Sequence, residues 1–261
     1  MAILDKFRLD GKVALVTGAG KGIGAGIARA FAEVGADVVL AARTESDLQA
    51  VAEEIQAMGR RALVVPTDVM IPEQRQNLVE KALEVFGGLD ILVNNAGGFP
   101  PRPALDTPVE HFDAAFQFNV STAYSLCVQL APSLAERGGS IINISSIAGH
   151  KPTSWFSAYG TAKGALSLLT QELAQEFAPR IRVNAIAVGS TKTDALNTVL
   201  TDEIEQTMVA LTPMGRLGEV EDIALGALYL ASEAGSYTTG EILGIHGGLE
   251  RLNMEMPRAF S

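Results

Sequence analysis

The sequence predicts an α/β fold in which a doubly wound, seven-stranded parallel sheet is flanked by helices. Short apolar runs alternate with longer amphipathic stretches, which is the pattern of repeated strand–helix–strand units. The runs ALVTG, ADVVLAA, DILVNN and SIINIS are apolar almost throughout, as expected of strands buried on both faces. The predicted strands are 13–17, 37–41, 62–65, 90–93, 140–145, 182–188 and 241–245, with helices that include 46–58 and 72–86.

Length and composition predict one folded domain over residues 1–261. The chain has 261 residues, of which 48% are hydrophobic and 19% charged, a balance typical of compact proteins. No shift in composition, long linker or internal repeat marks a boundary, although the segment GGFPPRP (97–103) is a proline-rich loop.

Charge and cysteine usage exclude several classes of partner. The net charge of −10 opposes a nucleic-acid surface, which needs clustered Lys and Arg. The single cysteine, Cys127, allows neither an internal disulfide nor a cysteine metal cluster. The N-terminal segment MAILDKFRLDGK lacks an apolar signal core, and no apolar run is long enough for a membrane span. We therefore expect a cytoplasmic protein with no metal and no membrane partner.

The first predicted strand runs directly into a glycine-rich turn and a helix. Thr17 is followed by G-A-G-K-G-I-G, with glycines at 18, 20, 22 and 24. Glycines here allow a sharp turn and a close approach of backbone to a diphosphate, which then lies at the positive end of the helix. The position in the first strand–helix–strand unit predicts a dinucleotide-binding (Rossmann) fold, whereas a purely structural turn is the alternative.

The end of the second strand indicates which dinucleotide binds. An acid that accepts from a free ribose 2′-hydroxyl is expected there, but the chain has Ala42, followed by Arg43 and Thr44. Arg43 and Lys21 are suited to a 2′-phosphate through charge-assisted hydrogen bonds; alternatively they are solvated surface cations. The sequence favours NADP(H), with NAD(H) as the alternative. After the third strand, Asp68-Val69 either meets the adenine or caps the next helix.

Tyr159 and Lys163 open a helical stretch with a spacing of four, which puts both side chains on one helix face. A tyrosine titrates near pH 10, and a neighbouring cation lowers the pKa of its phenol. The pair is suited to acid/base chemistry, although Y-x-x-x-K also occurs as an ordinary exposed pair.

These motifs together resemble the short-chain dehydrogenase/reductase family over essentially the whole chain. The shared motifs are TGAGKGIG, NNAG (94–97), NISS, YGTAK and RVNAIAVG. The resemblance implies that Tyr159 is the acid/base and that Lys163 lowers its pKa and binds the nicotinamide ribose. Ser146, with Ser145 as the fallback, polarises the carbonyl, and Asn119 holds a water beside the lysine or, alternatively, only kinks a helix. The implied reaction is hydride transfer between the nicotinamide and an alcohol or ketone.

Two positions depart from the family pattern. Val188-Gly189 replaces the usual Pro-Gly after the sixth strand, and His246 stands where an acid is usual. We expect His246, His150 and Cys127 to be ordinary packing or surface residues.

The residues assigned to the cofactor are Gly18, Gly20, Lys21, Gly22, Ile23, Gly24, Arg43, Thr44, Asp68, Val69, Asn95, Ala96, Gly97, Tyr159, Lys163, Val188, Gly189, Thr191 and Thr193.

Loops at the carboxyl ends of the strands are expected to bind the substrate, here 97–103, 147–156 and 191–213. They contain apolar residues that predict a bulky hydrophobic ketone or alcohol: Phe99, Trp155, Phe156, Leu196, Val199, Leu200, Met208 and Leu211. The segment 193–218 resembles bacterial 7α-hydroxysteroid dehydrogenases. A 3-oxoacyl-carrier-protein reductase is the leading alternative, although the acidic surface opposes docking of an acidic carrier. A non-catalytic NADP sensor is the alternative outside enzymes.

The resemblance also implies a homotetramer, or a homodimer. The C-terminal tail (249–257) then either reaches a neighbouring subunit or is a frayed end.

Overall fold

The structure is a computed structural model that describes residues 2–198, 200–254, 256–258 and 260. Its centre is a seven-stranded sheet in the order β3-β2-β1-β4-β5-β6-β7, and every strand pair is parallel. The strands are Val13–Thr17 (β1), Asp37–Ala42 (β2), Ala62–Pro66 (β3), Ile91–Asn94 (β4), Ser140–Ser146 (β5), Arg182–Val188 (β6) and Ile242–Ile245 (β7). The predicted fold class is confirmed, and each predicted strand boundary lies within one residue of the observed one.

Helices cover both faces of the sheet. They are Gly22–Glu33 (α1), Glu45–Ala57 (α2), Pro72–Phe86 (α3), Val109–Phe116 (α4), Thr122–Arg137 (α5), Ser157–Phe177 (α6), Asp194–Asn197 (α7), Asp202–Ala210 (α8) and Val220–Ala231 (α9). A π-helical turn, Gln117–Ser121, joins α4 to α5. None of the described helices has both the length and the apolar character that a membrane-spanning segment needs.

Alternation along the strands divides the core into two layers. Ala14 and Val16 of β1 belong to one apolar cluster, which includes Phe31 of α1. Leu15, between them, belongs to the other cluster, which includes Leu126 of α5. Because successive strand residues point to opposite faces, a sheet covered on both sides needs apolar residues at every position. This explains the unbroken apolar runs in the sequence.

The strand order reverses at β1, since β2 and β3 lie on one side of it and β4 to β7 on the other. Asp90 fixes this junction at the amino ends of the strands: its buried carboxylate accepts from the Val13 amide at 3.0 Å and pairs with Lys12 at 2.9 Å. At the opposite edge, the loops after β1 and β4 diverge and leave a crevice, which is where ligands bind in open parallel sheets.

Candidate active site

Two adjoining cavities lie at the carboxyl edge of the sheet. One has a volume of about 470 Å³ and lies over β1, β2 and β3. The other has about 480 Å³ and lies over β5 and β6. Lys21, Asn95 and Gly97 line both cavities. The two cavities therefore form one crevice along the edge where the strand order reverses.

The glycine-rich turn requires glycine at particular positions, where a side chain would be strained or would clash. Gly18 and Gly22 have φ values of 65° and 53°, a region that favours glycine. A Cβ on Gly24 would lie 2.3 Å from the carbonyl oxygen of Gly18. The first turn of α1 thus packs directly on the turn that precedes it.

A set of hydrogen bonds ties the ends of β1 and β4 together. The Thr17 hydroxyl accepts from the backbone amides of Asn95 and Ala96, both at 3.0 Å. The Asn95 side-chain amide donates to the carbonyl oxygens of Thr17 at 2.9 Å and Gly18 at 3.2 Å. Asn95 was assigned to the cofactor; its side chain also fixes the backbone of the glycine-rich turn. Thr17 was missed as a site-building residue, although it directly precedes the motif.

The N-terminus of α1 points its amides toward the crevice without a side-chain partner. Lys21, its N-cap residue, makes no capping hydrogen bond, and the first turn contains no acidic residue. Uncapped amides at the positive end of a helix are suited to phosphate groups. The glycines leave room for a ligand to approach the backbone closely, and the amides have no side-chain acceptor. Residues 18–24 therefore fit the diphosphate of a dinucleotide.

The first cavity contains the residues predicted to distinguish the dinucleotides. Ala42, Arg43, Thr44 and Lys21 all line it. Asp47, in the first turn of α2, lines it as well and pairs with Lys21 at 3.2 Å. No described carboxylate pairs with Arg43. No local pattern in the sequence marks Asp47, because its place beside Lys21 depends on how α2 packs against the glycine-rich turn.

Asp68 and Val69 also line the first cavity. The Asp68 carboxylate accepts from the backbone amide of Met70 at 2.9 Å. It does not cap α3, whose N-cap is Ile71 with no side-chain capping bond. Of the two roles considered for Asp68, helix capping is therefore wrong.

Tyr159 and Lys163 lie in the first turns of α6 and face the second cavity. The Lys163 ammonium is 5.8 Å from the centroid of the Tyr159 ring. Lys163 is only 4% exposed, and its Nζ donates to the carbonyl oxygen of Ile144 at 2.7 Å. The spacing of four thus places both groups on one helix face, as expected.

Burial changes the protonation of this pair. Burial lowers the pKa of Lys163 to about 7, because an ammonium loses its hydration. Burial also raises the pKa of Tyr159, although the nearby Ser146 hydroxyl opposes this. The expectation of a lowered tyrosine pKa is therefore wrong for the protein alone: desolvation outweighs stabilisation of the phenolate.

The two serines at the end of β5 have different surroundings. The Ser145 hydroxyl donates to the carbonyl oxygen of Lys163 at 3.0 Å and lies 2.8 Å from the Ser167 hydroxyl. It is committed to the contact between β5 and α6. The Ser146 hydroxyl accepts from the Ala148 amide at 3.1 Å, and Ser146 lines the second cavity together with Tyr159. The geometry supports the choice of Ser146 over Ser145.

Asn119 is buried in the π-helical turn and holds the loop after β4. Its Nδ2 donates to the carbonyl oxygens of Ala115 at 2.8 Å and Gly98 at 3.2 Å, and its Oδ1 accepts from the Gly98 amide at 2.8 Å. A Cβ on Gly97 would lie 2.8 Å from Asn119 Oδ1 and 3.0 Å from Lys163 Nζ. Both polar groups therefore approach the same glycine, and π-helical turns are frequent at functional sites.

The segment after β6 closes the second cavity. Val188, Gly189, Thr191 and Thr193 all line it. A Cβ on Gly22 would lie 3.4 Å from Thr193 Cγ2, so this segment meets the glycine-rich turn across the crevice. His246 packs against Gly189, where a Cβ would lie 2.6 Å from its Cα.

The apolar wall of the second cavity differs from the predicted set. Phe156 and Leu196 line it, whereas Phe99 lines the first cavity. Met208 is buried within the protein, and Val199 lies outside the described residues. The tail residues Leu252, Asn253 and Met254 complete the wall, which no local pattern in the sequence indicated.

No group of three or more His, Cys, Asp or Glu among the described residues is arranged to hold a metal ion. Cys127 is buried, and its Sγ accepts from Asn94 Nδ2 at 3.3 Å. His150 is partly buried, with its Nε2 3.0 Å from the Ser167 hydroxyl.

A parallel sheet with a glycine-rich turn after β1, together with Ser146, Tyr159 and Lys163 beside one cavity, is typical of dinucleotide-dependent oxidoreductases. Comparison with known proteins agrees with this class of enzyme. Residues 18–250 match a family model described as enoyl-(acyl carrier protein) reductase. An uncharacterised oxidoreductase of Mycobacterium tuberculosis is 51% identical over 98% of this chain and 98% of that protein.

Two further comparisons involve hydroxysteroid dehydrogenases. The 7α-hydroxysteroid dehydrogenase of Escherichia coli is 41% identical, and the match covers 95% of this chain and 98% of that enzyme. A solved 7α-hydroxysteroid dehydrogenase, complexed with NADH and 7-oxo glycochenodeoxycholic acid, has a TM-score of 0.92 at 41% identity and covers 95% of this chain and 98% of that chain. The chain belongs to the short-chain dehydrogenase/reductase family, whose oxidoreductases act on CH–OH groups.

The buried lysine predicts an unusual dependence of stability on pH. Burial holds the pKa of Lys163 at about 7, whereas an exposed lysine titrates near 10.4. Between these values the unfolded chain binds a proton that the folded chain lacks, so the free energy of unfolding rises with pH. From pH 7 to 9, we expect wild type to gain up to about 1.4 kcal/mol per pH unit relative to Lys163→Met, measured by urea unfolding.

Lys81→Met, at an exposed lysine, is the matched control and should follow wild type at both pH values. Parallel pH dependence of wild type and Lys163→Met would contradict the assignment of a desolvated ammonium.

Proposed function

We propose that this protein interconverts a secondary alcohol and a ketone with NADP(H) as the preferred dinucleotide, and that its substrate has a bulky apolar body, as a hydroxysteroid does. The observation that carries the proposal is the shared crevice: the diphosphate-binding turn and the Ser146/Tyr159 pair open into cavities that meet at Asn95 and Gly97. A dinucleotide and a carbonyl can therefore meet within one site.

When bound, the nicotinamide supplies or accepts the hydride. Tyr159 donates its proton to the substrate oxygen as the alcohol forms, and accepts it in the reverse direction. Because burial raises the pKa of Tyr159, the phenol holds its proton at neutral pH, which suits the reductive direction. Ser146, which lines the same cavity as Tyr159, donates to the substrate oxygen and stabilises the charge that develops there.

Lys163 and Asn119 support Tyr159 in this proposal. With its pKa at about 7, the lysine exchanges protons readily at neutral pH, and its ammonium stabilises a phenolate on the same helix face. Asn119 Oδ1 and Lys163 Nζ both approach Gly97. In this proposal a water molecule bridges the two atoms and carries protons to and from Lys163. Asn119 also holds the loop that covers this point.

The preference for NADP(H) is supported by the charges in the first cavity. Ala42 offers no carboxylate to a ribose 2′-hydroxyl, and Arg43 lies beside it without a described acidic partner. Lys21 is a second cation, partly neutralised by Asp47 at 3.2 Å. We therefore assign the 2′-phosphate chiefly to Arg43. This contrasts with the related hydroxysteroid dehydrogenase that was solved with NADH.

A hydroxysteroid substrate is supported by the apolar wall of the second cavity and by the likeness to 7α-hydroxysteroid dehydrogenase over 95% of the chain. A 3-oxoacyl-carrier-protein reductase is the second candidate; the family model, with its enoyl-reductase description, favours acyl chemistry. A non-catalytic sensor has less support, because a protein without turnover has no need of a desolvated lysine beside a tyrosine.

The proposed chemistry depends on the phenolic proton. In Tyr159→Phe, we expect kcat for ketone reduction to fall by at least about 100-fold, with the Kd for NADPH unchanged within twofold. The measurement is NADPH oxidation with 7-oxo bile acids, 3-oxoacyl thioesters and small diketones. Tyr237→Phe, at a fully exposed tyrosine, serves as the control. Tight NADPH binding without turnover on any of these substrates would instead support the sensor.

The dinucleotide preference depends on one guanidinium. In Arg43→Ala, we expect the KM for NADPH to rise by about tenfold or more, because a charge-assisted hydrogen bond contributes roughly 1.5–3 kcal/mol, while the KM for NADH stays within twofold. Arg29→Ala, whose guanidinium pairs with Glu54 away from both cavities, is the matched control. An unchanged KM for NADPH would contradict the assignment of Arg43.

A homotetramer or homodimer is also part of the proposal. Tyr124 and Val128 of α5 and Leu168 of α6 are large exposed hydrophobic side chains on neighbouring helices. An apolar face of this kind is typical of an interface, and a second copy of the chain is the partner that the family implies.

We expect the double variant Val128→Lys/Leu168→Lys to sediment as a smaller species than wild type in analytical ultracentrifugation, because charge on both helices opposes burial. Met58→Lys, at an exposed methionine at the end of α2, should leave the mass unchanged. A monomeric wild type would overturn this proposal and leave the enzymatic one intact.

A further inference from the structure

The chain that leaves β7 turns back over the active-site crevice. All strands are parallel, so β7 ends at the same edge as β5 and β6. Gly247 and Gly248 follow, with φ values of 63° and 81°. A Cβ on Gly247 would lie 2.8 Å from Thr212 Cγ2, and the Gly247 carbonyl oxygen accepts from the Met214 amide at 3.1 Å. This turn directs the tail along the end of α8.

Asn253 fastens the tail from within. It is only 2% exposed. Its Nδ2 donates to the Met208 carbonyl oxygen at 3.1 Å and to Thr212 Oγ1 at 3.0 Å, and its Oδ1 accepts from Ser190 Oγ at 2.6 Å. One buried amide therefore joins the tail to the C-terminal end of α8 and to the segment after β6. Loss of this amide removes all three hydrogen bonds and leaves the Ser190 hydroxyl without the acceptor described for it, whereas Thr212 and Met208 still bond each other.

The neighbours of this amide face the second cavity. Leu252 and Met254 line the same space as Ser146, Tyr159 and Leu196. Their side chains are partly buried and apolar, and they flank a residue that is fixed on three sides. A side chain held in this way has a defined position in the wall, which a frayed end cannot provide.

We propose that residues 252–254 form a fixed wall of the substrate pocket, in which Asn253 is a positioning residue and Leu252 and Met254 determine the size of ketone that fits. This inference rests on the proposed function, because it concerns the substrate side of the same site. The ligand class is a ketone whose apolar body adjoins the carbonyl, since Leu252 and Met254 offer no hydrogen bond.

The first test measures whether Asn253 holds the tail. Amide hydrogen exchange is compared for wild type, Asn253→Ala and Glu250→Ala, the last at an exposed position of the same tail. We expect peptides covering 249–254 to exchange at least about tenfold faster in Asn253→Ala, and Glu250→Ala to match wild type. Ser190→Ala, which removes one of the three hydrogen bonds, should give a smaller change in the same peptides.

The second test measures selectivity by size. The probes are 7-oxo glycochenodeoxycholic acid and cyclohexanone, each reduced with NADPH. In Leu252→Trp and Met254→Trp, we expect kcat/KM for the steroid to fall at least about tenfold more than kcat/KM for cyclohexanone, because an enlarged wall excludes the larger ketone first. Glu250→Trp is the matched control. In Asn253→Ala, the steroid KM should rise while the Kd for NADPH stays within twofold.

The outcomes separate this inference from the proposed function. If exchange in the tail is the same in Asn253→Ala and wild type, the amide does not fix the tail and the inference is overturned. If both tryptophan variants affect the two ketones equally, the tail is structural and does not select substrates. If wild type reduces neither ketone, the proposed substrate class fails, whereas the exchange experiment still decides whether Asn253 fixes the tail.

Discussion

The candidate site depends on the contacts that hold the glycine-rich turn against the ends of β1 and β4. Gly24 packs on the Gly18 carbonyl, where a Cβ would be 2.3 Å away, and Asn95 donates to that same carbonyl. A side chain at either glycine would separate α1 from the sheet and move the amides that suit a diphosphate. Because Asn95 also lines the second cavity, the two halves of the crevice depend on one set of contacts.

The second constraint is the burial of Lys163. Lys163 is 4% exposed, its ammonium donates to the Ile144 carbonyl, and burial lowers its pKa to about 7. A buried charge opposes folding, so an apolar residue would stabilise the protein better at this position. Residues that lower stability while serving chemistry are concentrated at functional sites. The same desolvation raises the pKa of Tyr159. Exclusion of water from one site therefore shifts the pKa of both groups.

The acidity of the protein and the proposed binding of an anionic dinucleotide are compatible because the charges are local. The chain has a net charge of −10, yet Lys21 and Arg43 line one cavity together. Asp47 pairs with Lys21 there and leaves Arg43 as the cation without a described acidic partner. Local backbone amides and single cations determine where a phosphate binds, and the overall charge does not.

The sequence by itself determined the positions of the strands and of the glycine-rich turn. Burial on both faces requires continuous apolar runs, so strand boundaries were predicted within one residue, and the glycine spacing and Y-x-x-x-K are local patterns that a single segment displays. Only the tertiary structure decided the rest: that Ser145 is committed to α6 while Ser146 lines the second cavity with Tyr159, that Asp47 meets Lys21, and that Leu252 and Met254 enter the cavity. These contacts join segments that are far apart in the sequence, so no local pattern indicates them. Desolvation of a group depends on all the residues packed around it, and it therefore leaves no local signal either.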